Sequence, residues 1–150
     1  MESLIHGFSP KEVVDLYRYL CIYESELGKV GKLEVFKQHY PKLKRLDNLM
    51  SSFVCNECNI EALSNIGIVP MDNLLSMTYS KSSKLLSLLY HLRNSIAHGQ
   101  IEQENGFVFI IDYKKDYKKG NGIKRFSARG KINSTTLFEI IGIINENINL

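Results

Sequence analysis

The sequence predicts a mostly α-helical fold with one β-hairpin set before its last helix, and three observations predict it. Apolar residues recur at helical spacing through most of the first hundred residues, the period turns β-rich over residues 107–129, and a final apolar run after Asn133 is long for a strand. With 150 residues, 44% hydrophobic and 23% charged, the chain is expected to form one domain, residues 1–150, with its own core rather than a disordered segment.

Each element has its own signal. Ser9 as cap, Pro10 at the first helical position and Glu12 three residues after the cap mark the start of helix one. Val13, Leu16, Tyr17 and Leu20 follow at helical spacing, and Gly28 and Gly31 close it. After "KLEVFKQHY", Pro41 opens a second helix with the stripe Leu43, Leu46, Met50, Phe53 and Val54, ending between Cys58 and Gly67. "GIVPMDN" is a connector, and Asp72 to His98 is expected to be helical, with a break near "YSKSSK". "GFVFIIDYKKDY", the turn "KKGNG" and "IKRFSAR" make the hairpin, residues 107–129. The last helix takes Asn133 or Ser134 as its cap.

Nothing at the start of the sequence has the basic-then-apolar form of a signal peptide, and no apolar run reaches membrane-spanning length, so the expected setting is the cytoplasm, with no membrane partner. Three cysteines at irregular spacing make no disulfide framework. Cys55 and Cys58 have zinc-ligand spacing, but no second pair completes a tetrahedral site. They are expected to be helix cysteines, and neither a metal nor a cofactor is expected.

Charge is unevenly spread. Residues 114–131 hold six Lys, two Arg and one Asp, a net +7, which leaves −4 to the rest of a +3 chain. Such a segment is the footprint of a polyanion partner or of a solvated loop. Lys118, Lys119, Lys124 and Arg125 are the candidate RNA-binding residues. Tyr113, Tyr117 and Phe126 interleave with the charges, as in single-strand binders.

The most unusual helix ends in "SLLYHLRNSIAHGQI", Ser87 to Ile101. At about 100° per residue, Leu85, Leu89, Leu92 and Ile96 share one arc, with His91, Asn94 and His98 on the opposite side. Arg93 falls inside the apolar arc. A guanidinium there needs an acidic residue of the fold, a second subunit or a ligand anion to offset its desolvation. Gly99 is a helix stop that leaves His98 in a frayed last turn. His6, His39 and His91 are expected to be surface or satisfied core residues, although His91 shares a face with His98 and is placed to line the same cleft.

The run Arg93-Asn94-Ser95-Ile96-Ala97-His98, with Gly99 after it, has the form R-x4-H and resembles the signature of the HEPN superfamily. The resemblance covers seven residues and implies a compact up-and-down helical bundle that forms homodimers, with the motifs of two subunits meeting in one cleft. Many members are metal-independent ribonucleases of toxin–antitoxin, phage-defence or CRISPR systems. Carried over by position, Arg93 and His98 match the catalytic pair and Asn94 the polar residue that supports it. One subset continues as R-x4-H-x-Tyr, with a tyrosine modified by a partner nucleotidyltransferase; here Gln100 stands at that position, which argues against that route of silencing.

The residue types suit RNA cleavage, since RNA carries its own nucleophile in the 2′-hydroxyl. A histidine exchanges a proton near neutral pH, and an arginine holds two phosphate oxygens at once. The expectation is a dimeric, metal-independent endoribonuclease, with RNA and an antitoxin protein as partners. Its rivals are a non-catalytic nucleotide- or RNA-binding protein of the same fold and a helical interaction module.

Overall fold

Ser9 begins the first helix, as its spacing predicts. The computed structural model describes residues 7–29, 37–51, 54–57, 74–79, 83–116 and 123–148. Helix α1, Pro10–Ser25, opens with a full capping box: Ser9 Oγ accepts from the Glu12 amide and Glu12 accepts from the Ser9 amide. Its buried stripe is Val13, Leu16, Tyr19, Ile22 and Tyr23, which leaves Tyr17 on the surface. The helix from Pro41 is shorter than expected. A 3-10 turn, Pro41–Lys44, leads into α2, Arg45–Met50. There the Ser51 hydroxyl donates to the Asn48 carbonyl at 2.6 Å, a local bond that competes with continuing the helix. Val54, expected on that helix, begins a strand instead, and Phe53 and Cys58 lie outside the described residues.

The expected bundle with an inserted hairpin is overturned by a five-stranded sheet. The strands are β1, Val54–Glu57, β2, Leu74–Met77, β3, Ile101–Glu104, β4, Phe107–Asp116, and β5, Ile123–Asn133. Their order is β1-β2-β5-β4-β3, with β1 and β2 parallel and every other neighbour antiparallel. Leu74–Met77, predicted as part of a helix, pairs along β5 because β5 offers an open ladder on that side. Helix propensity of a four-residue leucine-rich run is a weak preference beside a ladder on both flanks. Cys55 therefore sits in a strand, not a helix. The predicted hairpin exists as β4 and β5, with β5 running on to Asn133; residues 117–122, its turn, lie outside the described residues.

β3 carries a signal that the helical reading passes over. Asn105 and Gly106 both have positive φ, 53° and 81°, the two-residue turn that Asn-Gly pairs favour between β3 and β4. The sheet's two faces then follow from alternation. Val108, Ile110 and Asp112 of β4 face inward beside Ile132, Gly130 and Ala128. Phe107, Phe109 and Ile111 face outward beside Asn133, Lys131 and Arg129. A bulge at Ser127 then brings Tyr113 opposite Phe126 on the outer face.

Helices α3, Lys84–Ala97, and α4, Ser134–Asn147, pack on the sheet, and α1 packs on both. Ser83 and Asn133 cap them through side-chain oxygens. Apolar residues of α3 and α4, among them Leu88, Leu92, Ile140 and Ile144, join Val108, Ile110 and Ile132 in one core. The Tyr19 hydroxyl crosses that core to donate to the Leu89 carbonyl at 2.6 Å. No helix among the described residues is long and apolar enough to cross a membrane.

Gly130 lets β2 approach. A Cβ there would lie 2.2 Å from the Leu74 carbonyl oxygen and 2.7 Å from the Leu75 Cα, so the ladder itself would have to move. Gly130→Ala is expected to lower stability by about 1–3 kcal/mol, the range for overpacking, as read by urea denaturation. A change below about 0.5 kcal/mol would mean that β2 yields easily.

Candidate nucleic-acid site at the end of α3

Helix α3 carries apolar residues along one side and His91 and Asn94 on the other, and both sides are buried. His91 has no exposed surface and Asn94 is 5% exposed, because β4 covers the side opposite the apolar arc; His91 is thus a satisfied core residue. The bond donors of that side meet one acid. His91 Nδ1 lies 2.8 Å from Asp112 Oδ2, and Asn94 Nδ2 donates to the same oxygen at 3.0 Å. His91 Nε2 lies 2.7 Å from the Thr78 carbonyl oxygen.

The protons follow from this geometry. A carbonyl oxygen only accepts, so Nε2 carries a hydrogen. Burial pushes the Asp112 carboxyl up, but the hydrogen bonds from His91 and Asn94, the His91 charge and the Ser127 hydroxyl outweigh it and hold the group below the usual aspartate range. One carboxylate oxygen of Asp112 is thus held by two side chains of α3. The result is a buried, hydrogen-bonded His91–Asp112 pair joining α3 to β4.

Asn94 carries the network outward. With its amide nitrogen given to Asp112, its oxygen is turned to Arg93, whose Nη1 donates to it at 2.8 Å. The remaining edge of the guanidinium, Nε and Nη2, meets one carboxylate oxygen of Glu24 on α1. Of the three partners that the apolar position of Arg93 admits, the structure supplies the acidic residue of the fold. Arg93 is not deeply buried: its side chain keeps 30% exposure and that of Glu24 keeps 52%. The guanidinium lines a small pocket of about 230 Å³ with Tyr23, Tyr90 and Lys29, and burial raises the Tyr23 hydroxyl above its ordinary range.

His98 is placed differently. The helix ends in a Schellman motif: Gly99, with φ of 66°, donates to the Ile96 carbonyl at 3.2 Å, and the Gln100 amide donates to the Ser95 carbonyl at 2.7 Å. Its cap residue, His98, also donates its amide to the Asn94 carbonyl at 3.0 Å, so the last turn is closed rather than frayed. The His98 side chain is exposed and makes no hydrogen bond or ion pair among the described residues. The structure therefore joins Arg93 to Asn94 and leaves His98 apart, as five residues of helix require: about 7.5 Å along the axis and about 140° around it.

Of the other candidates, Arg125 is exposed near the start of β5, Lys124 belongs to the same strand, and Lys118 and Lys119 lie outside the described residues. Among the described residues no cluster of His, Cys, Asp and Glu is arranged to hold a metal. Sequence reasoning missed Asp112, although alternation carries the signal. An acid in register with inward Val108 and Ile110 needs a buried partner. Glu24 has no comparable mark.

Residues 20–139 match the family model described as HEPN pEK499 p136, from the second half of α1 into α4. No curated protein and no solved structure matches the chain.

Because the folded Asp112 titrates below its unfolded value, its contribution is fully present above about pH 4 and is lost as pH falls through the folded value. Acid unfolding of the wild type is expected to steepen in that range, and Asp112→Asn to remove that limb while lowering stability at pH 7. Removing the partner altogether in Asp112→Ala leaves the buried His91 ring and Asn94 amide without the oxygen they share and is expected to cost about 3–5 kcal/mol by chemical denaturation. A wild-type acid limb retained in Asp112→Asn would assign it to other carboxylates.

Proposed function

Because the chain belongs to the HEPN family whose model it matches over residues 20–139, we propose that it is an endoribonuclease that cleaves RNA through its own 2′-hydroxyl, without a metal, as a homodimer. The observation that carries this reading is the set of bonds made by Arg93. Inside the R-x4-H motif, a half-exposed guanidinium presents a fork of two N–H groups already occupied by an exposed carboxylate. A phosphate takes the same two hydrogen bonds when Glu24 swings aside, and an exposed ion pair is worth at most about 1 kcal/mol.

The reaction asks for two further groups. A base removes the proton of the 2′-hydroxyl, the O2′–P bond forms, the P–O5′ bond breaks, and an acid protonates the departing O5′. His98 and the partner subunit's His98 divide these roles, while Arg93 stabilises the charge on the pentacovalent phosphorus. Asn94 is a positioning residue, since both ends of its amide are engaged in holding Arg93 against the buried pair.

One chain separates Arg93 from His98, so a second copy completes the site. The surface next to His98 fits that role. An apolar groove of about 410 Å³ runs between Leu16, Tyr17 and Leu20 of α1 and Ile96 and Ala97 of α3, beside Val14 and Tyr17, which stand 63% and 45% exposed. In this reading the protein acts in the cytoplasm as a toxin or host-defence nuclease, and an antitoxin protein that covers His98 is its regulator. Lys118, Lys119, Lys124 and Arg125 supply further phosphate contacts.

Purified protein is expected to cut single-stranded RNA in the presence of a chelator, leaving 2′,3′-cyclic phosphate ends. His98→Ala and Arg93→Ala are each expected to lose at least about 100-fold in rate, with His98→Ala within about 0.5 kcal/mol of wild-type stability because the side chain is exposed. RNA binding with no cleavage would favour the non-catalytic rival.

Glu24→Gln tests the anion site. Weakening the carboxylate's hold on Arg93 is expected to lower KM about 2- to 5-fold, the equivalent of an exposed ion pair, with little change in kcat. A raised KM would make Glu24 a support that Arg93 needs.

Tyr17→Glu places a charge in the groove and is expected to give monomers by light scattering together with loss of cleavage. An active monomer would remove the two-subunit site.

A further inference from the structure

A sheet with one face on the core and one face in water alternates apolar and polar residues along its strands. β4 does not. Its inward residues Val108 and Ile110 are fully buried, and its outward residues Phe107, Phe109, Ile111 and Tyr113 are as apolar but only half-buried. The outward residues of β5 answer them with cations and one more ring. Arg129 lies 4.7 Å from the Phe126 ring centre, and Lys131 lies 4.8 Å from that of Phe107 and 5.4 Å from that of Phe109. Tyr113 and Phe126 pair at 5.7 Å with their planes tilted by 54°. Rings and cations thus alternate across the middle of the sheet, about 4.8 Å apart between strands and about 6.8 Å between same-face neighbours.

This face also has a direction. A groove of about 250 Å³ begins at Gly99 and Gln100, directly after His98, and continues over Phe109, Ile111 and Tyr113. The Gln100 side chain fixes the junction by accepting from the Tyr113 amide at 3.2 Å. Glu102 stands on the β3 side of the groove, so negative charge borders the platform while the positive charge lies along its centre.

We propose that the outward face of β4 and β5 is a stacking platform for single-stranded RNA, which it leads across the sheet to the end of α3 at His98. The proposal rests on the RNA reading above and adds where the strand lies. Every base has a π-face, so rings at this spacing take splayed bases of any sequence, while Arg129 and Lys131 meet the phosphates between them. The bases of a duplex are already stacked on each other and offer no such face. Charge complementarity singles out a polyanion here: the outward cations belong to the net +7 segment of the chain.

The chain has no tryptophan, so Phe109→Trp installs a single reporter on this face. The substitution is made with His98→Ala, so that the strand stays intact, and the protein is titrated with single-stranded oligoadenylate and with an RNA duplex of equal length. Saturable quenching by the single strand and none by the duplex is expected. Tyr113→Leu and Phe126→Leu, which keep an apolar strand residue, are each expected to weaken binding about tenfold. Arg129→Gln with Lys131→Gln is expected to flatten the log–log salt dependence by about 0.7 for each phosphate that is no longer neutralised.

No quenching, or equal quenching by the duplex, would overturn the platform. A reporter that answers to protein concentration and not to RNA would give the face to a second copy and overturn it too. Cleavage by the wild type is scored separately. Quenching without cleavage keeps the platform and removes the nuclease, whereas cleavage without quenching removes the platform alone. The reporter titration does not depend on whether the Leu variants fold.

Discussion

The buried pair of His91 and Asp112 holds the parts of this structure in register. Its two side chains are 0% and 3% exposed, and through them α3, β4 and the segment after β2 meet at one point. Breaking such a pair from one side costs about 3–5 kcal/mol, a large share of the roughly 5–15 kcal/mol that separates a folded domain from its unfolded chain. Every other polar contact of the site is reached from this anchor, because Asp112 also orients Asn94 and Asn94 orients Arg93.

The network weakens as it moves outward. At its inner end charge is desolvated and geometry is enforced; at its outer end Arg93 meets Glu24 in contact with water, where an ion pair is screened and exchangeable. That gradient is what the proposed anion site needs. A guanidinium fixed from behind by a buried amide and offered forward to an exposed carboxylate can change its forward partner without disturbing the core. The same economy appears at the helix end, where the Schellman motif fixes the His98 backbone and leaves its ring in solvent.

The sheet explains why one helix can serve both ends. Its inner face supplies Asp112 and the apolar floor under α3, and its outer face begins at Gln100, where the chain leaves the helix to form β3. Because β3 and β4 are joined by a two-residue turn, the chain that carries His98 runs straight into the strand pair carrying Phe109 and Tyr113. The motif and the aromatic face are therefore neighbours in space and in sequence. Gly130 completes the arrangement by allowing β2 close against β5, which extends the sheet beyond the hairpin.

Local chemistry was legible in the sequence by itself. The Ser9–Glu12 box, the cap at Asn133, the stop at Gly99, the paired strands around residues 107–129 and the need of Arg93 for a partner all follow from interactions within a few residues or from one residue's desolvation. Family membership was legible too, through the run from Arg93 to Gly99. Tertiary structure decided the rest. Leu74–Met77 became a strand because β5 was there to pair with it, and His91 and Asn94 became core residues because β4 covered the helix face opposite the apolar arc. The partners of the site, Glu24 and Asp112, lie 69 and 18 residues from the Arg93 and Asn94 they hold. Pairing across such distances is a property of the ladder and the packed layers, and no periodicity within a single segment encodes it.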